Sequence, residues 1–343
     1  MYYILILFSL LLIIYLPQHK GNLKKENVCL FLLCSILVVM AAFRSDMVGA
    51  DTAAYRDDYL YLYQFKDFDD IVDRYTISYI GYYGLSKLFN IIGLPVFVWF
   101  AFVEVFYLYA LMNLINRFSK DKIFSLLVFI TIGLFSFSLA GLKQTMGASF
   151  VMLAFLSYID KKYITTIVLS IITYFTHPVC LIGLGALPLY NVRKTKWLIP
   201  LITIICFGIF FFSTVLMRSM VGILDNEHFE SYLVNDTSYT YVTFIFYAVT
   251  TGIAFLNFKA YNSSEPEFAK LFLGLSTLGC GIQLLAGVSP SLFRLALLYT
   301  PFMTILLPNA AFYSKSNITK CILLGCLIFF FLYTNRNTPY SFI

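Results

Sequence analysis

Residues able to do chemistry come in four places along the chain. Phe43 to Tyr59 reads FRSDMVGADTAAYRDDY, a polar stretch directly after an apolar run, with Arg44, Asp46, Asp51, Arg56, Asp57 and Asp58 packed around a flexible Gly49. So dense a patch of both charge signs in a greasy chain reads as one wall of a site. Lys143-Gln144 opens another apolar run after Ala140-Gly141. A cation at a helix N-terminus, where backbone N–H groups already favour an anion, suits phosphate. His177 closes an apolar run and precedes Pro178, which disfavours helix at 177 and starts the next segment. A neutral imidazole there could accept a proton or hold a hydroxyl. Arg294, in SPSLFRLALLY, sits just inside an apolar run. Its guanidinium is always charged and forks onto phosphate oxygens. Each has a plainer setting too: Lys143 snorkelling to an interface, His177 as a hydrogen-bonded structural residue, Arg294 paired with Asp46 or Asp51.

The elements that must position these groups are apolar. Of 343 residues 60% are hydrophobic and 12% charged, with a mean hydropathy of +0.82, whereas a soluble domain carries about 25% charge. Runs of span length predict an all-α, polytopic bundle of about twelve transmembrane helices in a single integral membrane domain, 1–343. The runs do not alternate as barrel strands do. The net charge of +6 belongs to short loops that set orientation and implies no nucleic-acid partner. The seven cysteines form no CxxC pair and read as small hydrophobes.

The expected spans are Tyr2–Leu16, Val28–Phe43, Pro95–Ile115, Ile123–Leu139, Lys143–Ile159, Tyr163–Thr176, Val179–Tyr190, Trp197–Leu216, Tyr239–Phe258, Phe268–Ala286, Leu292–Tyr313 and Cys321–Tyr333. Basic loops stay cytoplasmic, so His19-Lys20 with Lys24-Lys25, Arg117–Lys122, Lys161-Lys162 and Arg193–Lys196 face inward, and Phe43 emerges outside. The region 44–92 is then an external loop whose first part, Arg44–Thr76, holds eight aspartates against four bases. In it Tyr55, Tyr59, Leu62 and Tyr63 suggest a helix on or near the membrane surface. Ile77–Ile92, with Gly81, Gly84, Ser86, Lys87 and Asn90, is expected to be re-entrant or interfacial. Residues 217–238 form a second external loop. This topology puts Arg44, Asp51, Lys143, Gln144, His177 and Arg294 at one face. Glu104, mid-span with no basic neighbour one turn away, is protonated, paired across the bundle or facing water.

The patch FRSDMVGADTAAYRDDY resembles the arginine-then-(V/I)G-x-D-T-x-x-Y signature of the EpsG/Wzy-type polysaccharide polymerases, and the aromatic and glycine stretch SYIGYYGLSKLFN follows it as in that family. GLKQTMGASFVMLAFLSYIDKK is similar to the family's R-Q-x-(L/M)-A segment, with Lys143 where arginine is usual. TYFTHPVCLIGL resembles the segment ending in a histidine, and FRLALLYTPF a late arginine-bearing span. The resemblance covers most of the chain. It implies a glycosyltransferase of the bacterial cytoplasmic membrane that joins undecaprenyl-diphosphate-linked repeat units on the outer leaflet, for O-antigen, capsule or exopolysaccharide. It implies no cofactor, metal or nucleotide sugar, and a chain-length regulator and a flippase as partners. Alternatives are a lipid-linked oligosaccharide flippase, a polysaccharide ligase and an O-acyltransferase.

Such a reaction needs fixed cations for a departing diphosphate, for which Arg44, Lys143 and Arg294 are the candidates. It needs a carboxylate or imidazole to take the acceptor's proton, for which Asp51 and His177 stand equal. Gln144, Tyr55 and Tyr59 could hydrogen-bond or stack on sugars.

Overall fold

The computed structural model describes residues 23–65, 67–224, 238–287 and 293–335. Among them every regular element is helical. The first expected span, Tyr2–Leu16, and most of the second external loop lie outside the described residues, as do His19, Glu227 and His228. The chain clusters into two compact units, Met1–Leu184 with Ile328–Ile343, and Gly185–Leu327.

The first unit begins with α1 (Leu23–Ala42), 20 residues long, about 30 Å at 1.5 Å per residue and so a match for a bilayer core. Then come α2 (Thr52–Tyr61), α3 (Phe68–Tyr75) and α4 (Ile80–Ile91). Asp67 starts α3 through a capping box with Asp70. At 12 residues, α4 reaches only about 18 Å and is too short to span. α5 (Val96–Phe118) follows Pro95, whose fixed φ suits a helix start. α6 (Lys122–Thr131) is capped by Asp121, which accepts from the Phe124 N–H at 3.0 Å. Gly133, at φ +90°, ends it and turns the chain 54° into α7 (Leu134–Ala140). α8 (Leu142–Ile159) and α9 (Tyr163–Thr176) form an antiparallel hairpin. α9 stops because His177 is extended ahead of Pro178.

A 3-10 turn, Pro178–Gly185, closes this part of the first unit, and the second unit holds α10 (Ala186–Asn191), α11 (Leu198–Leu224), α12 (Ser238–Leu256), α13 (Phe258–Ser264), α14 (Pro266–Gln283), α15 (Phe293–Ala296) and α16 (Met303–Ser314). α14 is its central helix, touching α11, α12, α13, α15 and α16. Its Gly274 and Gly281 lie where an added Cβ would come within 2.4 Å of Ile202 and of Cys206. Small residues let apolar helices approach this closely without water to drive them together. The last described helix is α17 (Asn317–Thr334).

Among the described residues, four helices, α1, α5, α8 and α17, are long and apolar enough to cross a membrane, or up to six spans if the bent pairs α6–α7 and α12–α13 each count as one. The protein is a multi-pass helical membrane protein. The expected twelve spans included runs that are apolar but not straight. Tyr163–Thr176 has 14 residues, Pro178–Gly185 winds as 3-10, and Phe293–Ser314 is broken between α15 and α16.

The aromatic stripe of α2 faces the protein. Tyr55, Tyr59 and Leu62 are buried with Tyr82, Tyr83, Trp99, Phe100 and Met146 in one core, and only Tyr63 points out. Burying large rings against α4 and α5 gains more than leaving them at a wet interface. The loop before α2 docks through Gly49. Its φ is +85° and a Cβ there would meet the Leu139 carbonyl oxygen at 2.7 Å. Gly49→Ala should therefore destabilise the protein by roughly 3 kcal/mol, combining the left-handed penalty with the overlap. The thermal midpoint of the detergent-solubilised protein measures it, and a wild-type midpoint would show that the loop is not docked this way.

Candidate active site

The first unit has two chemically different ends. α5 and α8 finish together where Arg117 Nη1 meets Asp160 Oδ1 at 2.6 Å, beside Lys120, Lys122, Lys161 and Lys162. They begin together at the opposite end, about 27 Å away along α8. There the Tyr59 hydroxyl donates to the Leu94 carbonyl at 2.6 Å, fixing the start of α5 to α2. Arg44, Lys143 and His177 all belong to this second end, the ends of α1, α8 and α9.

Lys143, the second residue of α8, reaches under α2 and α4. Its Nζ donates to the Tyr83 hydroxyl at 3.1 Å and lies 4.9 Å from the ring centre of Tyr79, 5.1 Å from Tyr83 and 5.6 Å from Tyr55. Three electron-rich faces favour the cation. Tyr83 in turn donates to Asp58 Oδ2 at 2.8 Å, and Tyr75 donates to Asp58 Oδ1 at 2.8 Å. The two phenols stack at 3.7 Å. Burial first, then the hydrogen bond to Asp58, pushes the Tyr75 phenol up to about 12. Burial and the Asp58 charge also push Tyr83 well above its ordinary value. Both phenols therefore keep their protons at neutral pH.

His177 is half-buried against Tyr79, the two rings edge-on at 5.7 Å. Gly147 of α8 makes room for it, since a Cβ there would lie 2.7 Å from Cys180 Sγ and 3.3 Å from His177 Cβ. Imidazole and ammonium thus both lie near one tyrosine ring. Gln144 is buried beside Lys143, and its backbone carbonyl accepts from Cys180 Sγ at 3.5 Å. Asp51 is the N-cap residue of α2, one turn before Tyr55, whose N–H it accepts through its carbonyl at 3.0 Å.

Arg44 is placed differently from the other cations. It is 0% exposed. Its Nε donates to Thr52 Oγ1 at 3.1 Å, its Nη1 donates to the Ala41 carbonyl, and its guanidinium lies 4.1 Å over Phe100. Thr52 Oγ1 is itself 3.2 Å from the Leu139 carbonyl. These contacts pin the turn after α1 to α2, α5 and α7. Asp46 pairs with Arg56 at 2.6 Å near solvent, a contact of little energetic weight. Tyr59 is likewise committed, ring to the core and hydroxyl to Leu94. Glu104 is buried on α5, hydrogen-bonded with Ser138 and within the field of Arg44. That favours the paired reading over the water-facing one. Arg294 belongs to the second unit, in α15.

Sequence reasoning missed Asp58 as more than one of many loop acids, and it missed Tyr75, Tyr79 and Tyr83. The available signal was SYIGYYG, a run of tyrosines with helical spacing that needed a polar partner for each buried hydroxyl. It also missed Lys87, which is buried and donates to the carbonyls of Leu62 and Phe65, closing the 3-10 turn after α2.

Compared with known proteins, the chain matches the model of the EpsG family over residues 27–342. No curated protein and no solved structure matches it.

Proposed function

The chain belongs to the EpsG family of membrane proteins of polysaccharide biosynthesis, and from that premise we propose that it is a polymerase joining undecaprenyl-diphosphate-linked oligosaccharide repeat units on the outer face of the bacterial cytoplasmic membrane. The observation that carries this reading is the Lys143 ammonium, framed by Tyr55, Tyr79 and Tyr83 with His177 beside it. It sits at the end of the unit remote from Arg117, Lys161 and Lys162. Basic loops favour the cytoplasm, so this end faces out.

In the transfer, the acceptor sugar's hydroxyl oxygen forms a bond to the anomeric carbon of the growing glycan. The bond from that carbon to the lipid diphosphate oxygen breaks, and the electron pair leaves with the diphosphate. Lys143 and the first N–H groups of α8 meet the charge that develops on the departing oxygens. The hydroxyl proton passes to Asp51 or His177 and from there to water or the departing diphosphate. Arg294, in α15 of the second unit, is a further candidate cation for the reaction. Gln144 and Tyr55 hold sugar or phosphate oxygens near Lys143, while Arg44 and Tyr59 hold the wall in place. A chain-length regulator and a flippase are the expected partners, and the reaction needs neither nucleotide sugar nor metal.

Asp51→Asn and Arg294→Ala should leave folded protein in the membrane while cells retain single repeat units on lipid. Each should lower polymer yield by about 10²-fold or more. Gel analysis of lipid-linked glycans from cells carrying each variant checks this. Full-length polymer from both variants would remove these residues from the site.

A further inference from the structure

Asp58 sits one helical turn beyond Tyr55 on α2, and the transfer just described makes no use of it. Both of its carboxylate oxygens are occupied by phenols, Tyr75 on Oδ1 and Tyr83 on Oδ2, each at 2.8 Å. An ionised carboxylate has no proton to offer, so each tyrosine must commit its single hydroxyl proton to Asp58. The Tyr83 oxygen is then left with lone pairs only, and Lys143 Nζ, 3.1 Å away, must be the donor. The bonds run in one direction: Lys143 to Tyr83, Tyr83 to Asp58, and Tyr75 to Asp58 from the far side. A neutral amine can also donate, but the negative charge at the end of the chain selects the ammonium.

We propose that Asp58 is a positioning residue which, through Tyr83, keeps Lys143 cationic and aimed at the substrate diphosphate. This rests on the reading of Lys143 as the cation of the site. Other groups around Lys143 are Tyr55 from α2, Tyr79 from the 3-10 turn before α4, and His177, which packs against Tyr79 at the end of α9. Asp51 lies at the start of α2. Arg74 of α3 opposes the effect of Asp58 by stacking over Tyr61 and Tyr75, but it is exposed and solvent-screened. On the remaining packed elements, Arg44 engages Thr52 and Phe100, and Glu104 engages Ser138.

Replacing Asp58 with asparagine keeps the shape and removes the direction. An amide can accept from one phenol and must donate to the other, and in either orientation the negative charge that favours the Lys143 ammonium is gone. Competitive acetylation of the full-length protein in lipid vesicles, read by peptide mass spectrometry across alkaline pH, gives the midpoint at which Lys143 becomes reactive. In Asp58→Asn that midpoint should fall by about one pH unit relative to wild type. Tyr83→Phe cuts the same chain while leaving the Asp58 carboxylate in place and should lower the midpoint too, so it carries the test if Asp58→Asn does not accumulate. The alkaline limb of polymer formation should move to lower pH by the same amount, because the cation is lost earlier as pH rises. An unshifted labelling midpoint in the folded variants overturns the role of Asp58, whether or not polymer forms. Wild-type protein that labels normally yet makes no polymer from lipid-linked repeat units overturns the proposed reaction instead.

Discussion

Lys143→Ala will lower polymer formation by about 10²- to 10³-fold, the usual cost of removing one preorganised group that meets charge in a transition state. Lys143 is half-buried at the mouth of the cluster, not sealed in the core, so its removal leaves the packing of Tyr82, Trp99 and Phe100 intact. The protein should reach the membrane in normal amount, while repeat units persist unjoined on their lipid. Lys143→Arg keeps the charge, and a guanidinium also favours the faces of Tyr55 and Tyr79. It should stay within about tenfold of wild type, since a tenfold loss corresponds to about 1.4 kcal/mol. The measurement is polymer yield from purified lipid-linked repeat units in vesicles containing each variant. Undiminished polymer from Lys143→Ala would mean that another group meets the diphosphate.

Arg44→Ala should fail in the opposite way, by losing the folded protein before it loses any substrate contact. The side chain is 0% exposed, and it ties the Ala41 carbonyl, Thr52 and the Phe100 ring into one corner. Its charge also faces the buried Glu104. Leaving buried polar groups without their partner costs about 1–3 kcal/mol each, and two such groups together are a large part of the roughly 5–15 kcal/mol that holds a domain together. Arg44→Lys retains the charge but cannot reach Thr52 and Ala41 from one planar group, so it should recover only part of the loss. The thermal midpoint in detergent reports this directly. A variant that melts like wild type yet binds lipid diphosphate more weakly would return Arg44 to the substrate, as the sequence alone had suggested.

These two basic residues show how far the chain can be read before it folds. Both are cations at the edge of an apolar run, and by sequence they are equivalent candidates for an anion. Only the neighbours separate them. Arg44 turns inward because Thr52, Phe100 and Leu139 come from α2, α5 and α7 to receive it. Lys143 stays at the rim because the groups around it are tyrosine faces and one phenol oxygen. Asp58 was similarly hidden among eight loop acids until α3 and α4 delivered Tyr75 and Tyr83 to its two oxygens.

Composition alone established a helical membrane protein, because 60% apolar residues in long runs leave helices as the way to satisfy the backbone within lipid. Short motifs in order established the family, and the alternation of basic loops brought Arg44, Lys143 and His177 to one end, since charge bias along the chain acts before tertiary packing does. Tertiary structure decided the rest. Hydropathy does not register a left-handed glycine such as Gly133 or the stop that Pro178 imposes, so apolar runs did not show where the helices bend and break. Which side chain meets which is set by contacts between residues tens of positions apart, and no local pattern encodes that.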